Sequence, residues 1–584
     1  DFHDIWIDPK DPNRMIATND GGTAVTLTGG KTWSGFSNQS GTQMYRVDTD
    51  DQFPYGVYGN TQDLLVYRVP SASRWGGIPI HMTDFIGSGE TGRAIPKPGD
   101  PNIVYSLATG ATFGGATMFT VNNLKTGQAE TRPIWPEILF GTPASEFKYR
   151  FNWQAPFLVS PHDSDTIYFA GNVVFRTRDE GMTWDIISPD LTHNMTDKMK
   201  VAGSSWLPEY FGQEIFSTIH RLEESPHEQG VLWAGTDDGR VHLTRNGGES
   251  WEEVTPPDLP ELSAIYEIEI SPHDPGTVYL AITRYRKADD YKPYLLKTSD
   301  YGKSWERLDG SFPQDEITRT IREDTERKGM LFVGTETGVY VSIDDGKEWR
   351  RMNLNMPPLP VHDIEIKGND LVIATHGMGF WVLDEIGPLR QFSWGLAQKP
   401  AHLFEPGDHT RFGYHWWGEY GGGPPSDKKY YFVRNAEPGY TFYERGTVNG
   451  ERKREYINAG DARAQGVIID YLLSENAKDV SLSILDADGN EIRTWGMDEI
   501  PTERFTTFDN RGYEIDLVTG EPKATVSKGL NRFIWDMRHP NVSAIPGVPP
   551  VVMSPIAKPG TYQVRMSLDG KSQTHAIEIK LNPN

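Results

Sequence analysis

A phrase of the form Ser/Thr-x-Asp-x-Gly-x-Thr/Ser-Trp recurs along this chain and limits the folds open to it. It reads Thr177-Arg-Asp-Glu-Gly-Met-Thr-Trp184, Thr298-Ser-Asp-Tyr-Gly-Lys-Ser-Trp305 and Ser342-Ile-Asp-Asp-Gly-Lys-Glu-Trp349. Looser copies run from Thr26 to Trp33 and from Thr244 to Trp251. A turn repeated at this scale belongs to an architecture assembled from copies of one small unit. The chemistry of the phrase is that of a turn between a third and a fourth strand. Its Asp and Ser/Thr side chains accept backbone N–H groups, its Gly supplies a positive φ, and its Trp packs between neighbouring units. Thr28 and Asn246, which stand at the Asp position of the looser copies, keep a hydrogen-bonding group there.

Each box closes a longer unit. A first alternating strand ends in a turn such as Asp8-Pro9, Pro161-His-Asp163 or Pro272-His-Asp274, and a second apolar strand follows, as at 166–170, 231–235, 277–282 and 330–334. Alternation with Gly, Asp and Pro turns at short spacing is the all-β signature. Units without boxes are readable at 44–69, near 90–121 and at 361–383. The pattern predicts an all-β chain: a seven-bladed Asp-box β-propeller over 1–388, with an eighth unit that closes the ring, forms an eighth blade or serves a missing ring. Residues 389–465 read as an irregular linker region, and 466–584 as an immunoglobulin-like β-sandwich ending in a hairpin around Asp569-Gly570.

Bulk properties narrow the function. A chain of 584 residues exceeds one ordinary core,. The formal net charge of −24 argues against a nucleic-acid partner, which needs clustered Lys and Arg,. No apolar run is long enough for a membrane-spanning helix. With no Cys there is no thiol nucleophile, disulfide or cysteine-based zinc site,. No P-loop, dinucleotide fingerprint, Gly-x-Ser-x-Gly or His-Glu-x-x-His occurs, so no cofactor is implied. The first residue is Asp rather than Met, and a preceding piece is therefore expected,.

In a propeller the starts of the innermost strands and the turns between second and third strands share one face, opposite the boxes. The candidate ligand-binding rim is therefore Arg46, Arg150, Asn152, Trp153, Tyr266, Glu267, Arg319 and His376, a mixture that suits a polysaccharide, peptide or protein ligand. A glycosidase needs two carboxyl groups, one with a raised pKa. The candidate pairs are Asp4 with Asp363 and Asp63 with Glu90. If the ring closes through the first unit, His3, Asp4, His362 and Asp363 become neighbours and form a candidate metal cluster, although strand-start hydrogen bonds are the plainer reading. Asp486-Ala-Asp-Gly-Asn490 lacks the Glu of a calcium loop and reads as a hairpin turn. Trp416-Trp417 with Tyr414 and Tyr420 could form a sugar platform or a packing seam.

The chain resembles the large exported bacterial Asp-box proteins of the sortilin/VPS10-like or glycosyl-hydrolase-like kind. The phrases that carry the likeness are His3-Asp-Ile-Trp-Ile-Asp-Pro9, Lys148-Tyr-Arg-Phe-Asn-Trp153, Gly235-Thr-Asp-Asp-Gly-Arg240, Ala374-Thr-His-Gly-Met-Gly-Phe-Trp381 and Gly529-Leu-Asn-Arg-Phe-Ile-Trp-Asp536. The resemblance implies a secreted, periplasmic or cell-surface protein in which this chain is the C-terminal portion. It would associate with an N-terminal propeller segment or chain. Two functions follow from it: an exported propeller that binds a peptide, glycan or partner protein through the rim, or a polysaccharide-acting glycoside hydrolase whose site lies between two propellers. The resemblance carries over no catalytic residue.

Overall fold

The structure is a computed structural model that describes the chain except residues 1, 36–40, 74–76, 88, 108–117, 136–142, 201–214, 413–430, 433–440, 449–450, 457–458, 464–465, 497–502, 509–513, 520–522, 541–554 and 584. The aromatic run at Tyr414, Trp416, Trp417 and Tyr420 lies outside the described residues. The chain divides into two compact units: Asp1–Phe36, Ser40–Val69 and Thr83–Leu383 form the first, and Ser37–Gln39, Pro70–Met82 and Asp384–Asn584 the second.

The first unit is a β-propeller. Its repeated element is an antiparallel four-stranded sheet; seven such sheets occur among the described residues, six of them with all four strands in chain order. We number them I (48–86), II (94–133), III (157–186), IV (219–253), V (264–307), VI (318–351) and VII (361–383). In sheet VII the fourth strand, Thr42–Gln43, comes from ahead of sheet I and pairs with His376 and Gly377. Middle strands such as Leu331–Thr335 are buried throughout because each sheet is covered on both faces by its neighbours,. The apolar clusters record this directly. Tyr58 and Ile86 of sheet I pack with Val104 of sheet II, and Phe119 of II with Phe169 of III. Leu158 of III packs with Leu222 of IV, Trp233 of IV with Leu280 of V, and Tyr279 of V with Val333 of VI. Val372 and Ala374 of VII return to Val57 of I.

The eighth repeat unit stands apart. Strands Phe2–Ile7, Met15–Asn19 and Gly22–Thr26 form a three-stranded sheet whose first strand is exposed along its whole length. The place beside sheet VII is taken by sheet I and the residues leading into it. The amide of Val47 donates to Asp363 Oδ2 at 3.3 Å, Tyr55 OH to Asp370 Oδ2 at 3.0 Å, and the amide of Met44 to the Thr375 carbonyl at 3.0 Å. His3 and Asp4 thus do not meet His362 and Asp363.

The recurring turn works as its residue types require. Thr177 Oγ1 accepts the amide of Gly181 at 2.9 Å, and Asp179 Oδ1 accepts that of Thr183 at 2.9 Å. Asn246 and Thr28 accept the corresponding amides, of Ser250 and Thr32, at 3.0 Å. Both central residues have positive φ: Glu180 and Gly181 at 56° and 87°, Tyr301 and Gly302 at 60° and 81°, Asp345 and Gly346 at 63° and 79°. This is the geometry of a type I′ turn. Three of the box tryptophans bond to the preceding sheet. Nε1 of Trp251, Trp305 and Trp349 donates to the carbonyls of Ile187, Val254 and Leu308 at 2.9, 3.0 and 2.8 Å.

In the second unit a three-stranded sheet (Ala401–Leu403, Val467–Leu473, Gly529–Trp535) and a five-stranded sheet share one core. The five-stranded sheet runs His409–Arg411, Lys571–Leu581, Gly560–Leu568, Val480–Leu485, Glu491–Trp495. Tyr471, Phe533 and Trp535 face Leu482, Trp495, Met566 and Ile577 across it. Two of these strands, Ala401–Leu403 and His409–Arg411, fall within the stretch expected to be irregular. Asp486 Oδ1 accepts the amides of Asp488 and Asn490, so the calcium-loop imitation is a hairpin turn.

Two glycine substitutions separate backbone strain from packing. A Cβ on Gly302 would lie 2.6 Å from Val254 Cβ, whereas one on Gly247 meets nothing within 4 Å, and both residues have positive φ. Gly247→Ala is expected to cost about 1–2 kcal/mol, the left-handed penalty alone. Gly302→Ala should cost about 2–4 kcal/mol because overpacking adds to it. Denaturant melts of the two variants check the difference, and equal losses would mean that the sheet contact at Val254 yields freely.

Candidate functional site

The innermost strands of sheets IV to VII carry the same irregularity. Their pairing register slips at His220, Tyr266, Arg319 and His362, each the second residue of its strand or the third. A bulge re-aims the side chain it carries, so four adjacent sheets turn a polar or aromatic residue toward the mouth of the propeller on the face opposite the boxes. Beyond the bulge, alternation sends every second side chain toward the axis: Arg221 and Glu223, Glu267 and Glu269, Thr320 and Arg322, Asp363 and Glu365,.

These axial side chains form one ionic network. Glu267 receives Arg46 at 3.0 Å, Arg221 at 2.7 Å and Arg322 at 2.9 Å, while Arg322 also reaches Asp363 at 2.7 Å and Glu269 at 3.4 Å. Arg221 bonds Glu223 at 2.8 Å, and Arg93 pairs with Asp48. Arg46, Arg221, Glu267 and Asp363 are between 0% and 4% exposed, so charged side chains, not an open tube, fill the axis at this level. Burial opposes ionisation of Glu267, but Arg221, Arg322 and Arg46 outweigh it and hold the carboxyl below its ordinary range,. Glu269 shares only Arg322, and burial pushes its pKa up to about 8. Glu365 is also raised, by burial and by the neighbouring charge of Asp48.

Above the network an aromatic path crosses the mouth. Trp153 Nε1 donates to Tyr45 OH at 3.4 Å, and Tyr45 lies edge-on to His376 at 5.1 Å between centroids. His376 stacks on His362 at 4.3 Å, His362 lies 6.5 Å from Tyr266, and Tyr266 lies 4.7 Å from His220. Burial pushes Tyr45 up to about 12 and brings His220 down to about 3, so the first stays a phenol and the second a neutral imidazole.

At the Trp153 end of this path two carboxyl groups meet. Asp63 sits at the tip of the turn between Gly56–Asn60 and Val66–Pro70 with φ 60°, and Glu90 lies just ahead of Ala94–Lys97 in the next sheet. The backbone N–H of Asp63 is near enough to the Glu90 carboxyl to favour its charged form. Thr91 anchors Glu90 from below: its hydroxyl donates to the Trp153 carbonyl at 2.5 Å, and its own carbonyl accepts Asn60 at 2.7 Å. Both carboxyls have raised pKa values, through burial first. The second cause is the charge of Asp20 for Asp63 and the charge of Asp63 for Glu90. Asp20 belongs to the N-terminal sheet, where it pairs with His3.

Asp63 and Glu90 are therefore brought together, with Tyr45 and Trp153 beside them. Asp4 caps the amide of Ile5 on the exposed first strand, and Asp363 is held by Arg322. No group of three or more His, Asp and Glu side chains among the described residues could hold a metal ion. Of the expected rim, Tyr266, Arg319, His376 and Trp153 lie at the mouth. Arg46 and Glu267 lie deeper, in the network. Arg150 is buried against Asp190 at 2.9 Å and the Ser217 carbonyl at 3.1 Å, and Asn152 caps the amide of Gln154 at 3.0 Å. Sequence reasoning missed His220, Arg221, Arg322, Glu269 and Glu365. Their signal was available as charged residues alternating with apolar ones in the innermost strands.

No family model matches this chain. An oligoxyloglucan-reducing end-specific xyloglucanase from Emericella nidulans is 26% identical over 164 residues, covering 26% of this chain. The chain spans 17% of that relative's length. Among solved structures it is similar to the GH74 xyloglucanase from Xanthomonas campestris, at 13% identity and a TM-score of 0.42 over 91% of this chain and 86% of that one. It is also similar to YCF48 from Cyanidioschyzon merolae, at 13% identity and a TM-score of 0.32 over 65% of this chain and 94% of that one. No helix among the described residues is long and apolar enough to cross a membrane.

The two axial glutamates should respond oppositely to loss of charge. Glu267→Gln leaves three guanidinium groups short of a counter-ion and is expected to cost about 3–5 kcal/mol at neutral pH. Glu269 holds its proton up to about pH 8 when folded, against an ordinary value of 4.5. Its contribution to stability is present below the ordinary value and is lost as pH rises through about 8,. Glu269→Gln should therefore be near neutral at pH 5 and reduce the decline in stability between pH 5 and 8 by about 1–2 kcal/mol. Thermal melts across that range check both, and a decline unchanged in Glu269→Gln would contradict the assignment.

Proposed function

We propose that this chain is part of a polysaccharide-acting glycoside hydrolase, with Asp63 and Glu90 as the acid and base groups. The observation that carries the reading is the carboxyl pair itself. Two carboxyls on adjacent sheets lie within reach of one another's charge, both resist ionisation, and Trp153 and Tyr45 supply ring faces beside them. A carboxyl that keeps its proton at higher pH can protonate a glycosidic oxygen, while its partner activates water or attacks the anomeric carbon. The short match to a xyloglucanase supports a polysaccharide as substrate.

In this reading sheets I–VII form a seven-bladed ring and the three-stranded N-terminal sheet belongs to a second propeller. Its face bearing Trp6, Ile16 and Val25 is exposed, where every ring sheet is covered. The box residue Trp33 is 41% exposed, whereas Trp184, Trp251, Trp305 and Trp349 of the ring are buried or half-buried. The site then lies between two propellers, in an exported protein whose sandwich is immunoglobulin-like. The compensated charges of the axis support a second reading, a propeller that binds a glycan, peptide or protein without chemistry, because none of those groups is left free to react.

Hydrolysis of a panel of xyloglucan, β-glucan and hexuronate oligosaccharides by the full-length protein separates the two. Asp63→Asn and Glu90→Gln are each expected to lower turnover 100- to 1,000-fold, on the order of a lost general acid or base, with the melting temperature unchanged. Tight binding with no turnover by the wild-type protein would favour the binding reading instead.

A further inference from the structure

The far end of the aromatic path has unused hydrogen-bonding capacity. Arg319, 4% exposed, donates Nε to Glu336 Oε2 at 2.8 Å and Nη2 to Tyr285 OH at 3.4 Å, but its Nη1 has no partner among the described residues. Nδ1 of His220 and of His362, which are 6% and 4% exposed, is likewise unpartnered, as is Oε1 of Gln154. Buried polar atoms are normally satisfied, so a cluster of orphans marks a place that a ligand or ordered water completes. The four residues surround one ring: Tyr266 stacks with His220, faces His362, accepts Gln154 Nε2 at 3.4 Å, and has the Arg319 guanidinium 5.7 Å from its centroid.

Glu336 balances Arg319 and Glu267 balances Arg46, which leaves Arg286 as a surplus cation in a protein whose net charge is −24. Arg46 lies 5.8 Å from the same ring. Arg286, on the short helix Tyr285–Ala288, donates Nε to Tyr285 OH at 2.8 Å and has no carboxylate within salt-bridge reach among the described residues. The surrounding groups all feel these cations. Arg319 and Arg46 hold the Tyr266 phenol below its ordinary value although burial would raise it. For His362, burial and then Arg319 disfavour protonation.

We infer that the mouth around Tyr266 is an anion-binding subsite that takes the carboxylate of an acidic sugar unit, with Arg319 Nη1 and Arg286 as its cationic donors. Neutral His220 and His362 and the Gln154 carbonyl oxygen are placed to meet the flanking hydroxyls. The choice of a sugar rests on the glycoside-hydrolase reading, because the same aromatic path leads to Asp63 and Glu90. The anion preference itself does not depend on that reading.

Calorimetric titration of the full chain with a hexuronate oligosaccharide and its carboxyl-reduced neutral counterpart tests it. The acidic form is expected to bind at least 10-fold more tightly, a preference that Arg319→Gln removes and that exposed Arg286→Gln, which leaves the buried contacts intact, reduces several-fold. Equal binding of the two forms, or a preference that survives both substitutions, would overturn the subsite. Preferential binding of the acid without cleavage would leave the subsite standing and count against the hydrolase. Binding of a peptide through its free carboxylate, with none of the oligouronate, would overturn the sugar assignment.

Discussion

Glu267 is the point at which the propeller's sheets are tied to one another. Its two carboxylate oxygens receive guanidinium groups from Arg46 beside sheet I, Arg221 of sheet IV and Arg322 of sheet VI. Three cations around one anion are tolerable only because Asp363 and Glu223 share the surplus,. The result is a core that is apolar between sheets and ionic along the axis. Charged contacts with fixed partners add to the apolar packing in holding the innermost strands in one register. That register places the bulged residues above the network.

The two faces of the propeller consequently do different work. On one, the repeated turn satisfies its own backbone and hands a tryptophan to the preceding sheet, so its polar groups are spent on structure. On the other, the bulges deliver residues that do not repeat: His220, Tyr266, Arg319 and His362. The carboxyl pair at Asp63 and Glu90 and the positive region at Arg319 lie at opposite ends of one path of rings. Burial and the neighbouring arginines keep the imidazoles on that path neutral.

Much of this was legible in the sequence. The boxes at Thr177, Thr244, Thr298 and Ser342 fix the turns of four sheets, and the box-free units at 44–69 and 361–383 are real sheets. The pairing of Asp63 with Glu90 could be suggested because both fall on strand ends of the mouth face. The place of the eighth unit could not be read, since its box resembles the others. The neighbour of sheet VII is decided by the contacts that Met44, Val47 and Tyr55 make with it, which no local pattern announces. Arg46 and Glu267 read as rim residues because a charged residue near a strand start is usually solvated. Only the network shows that they are buried. The bulges were invisible for a related reason, as one extra residue in a strand changes register without changing composition.

Hydrogen exchange measured on the full chain with and without a soluble oligouronate most directly tests the assignment of function to the face opposite the boxes. Slowed exchange is predicted in the amides of 61–65, 90–93 and 285–288, with the turns at 177–184 and 244–251 unchanged. Protection confined to those box turns would contradict it.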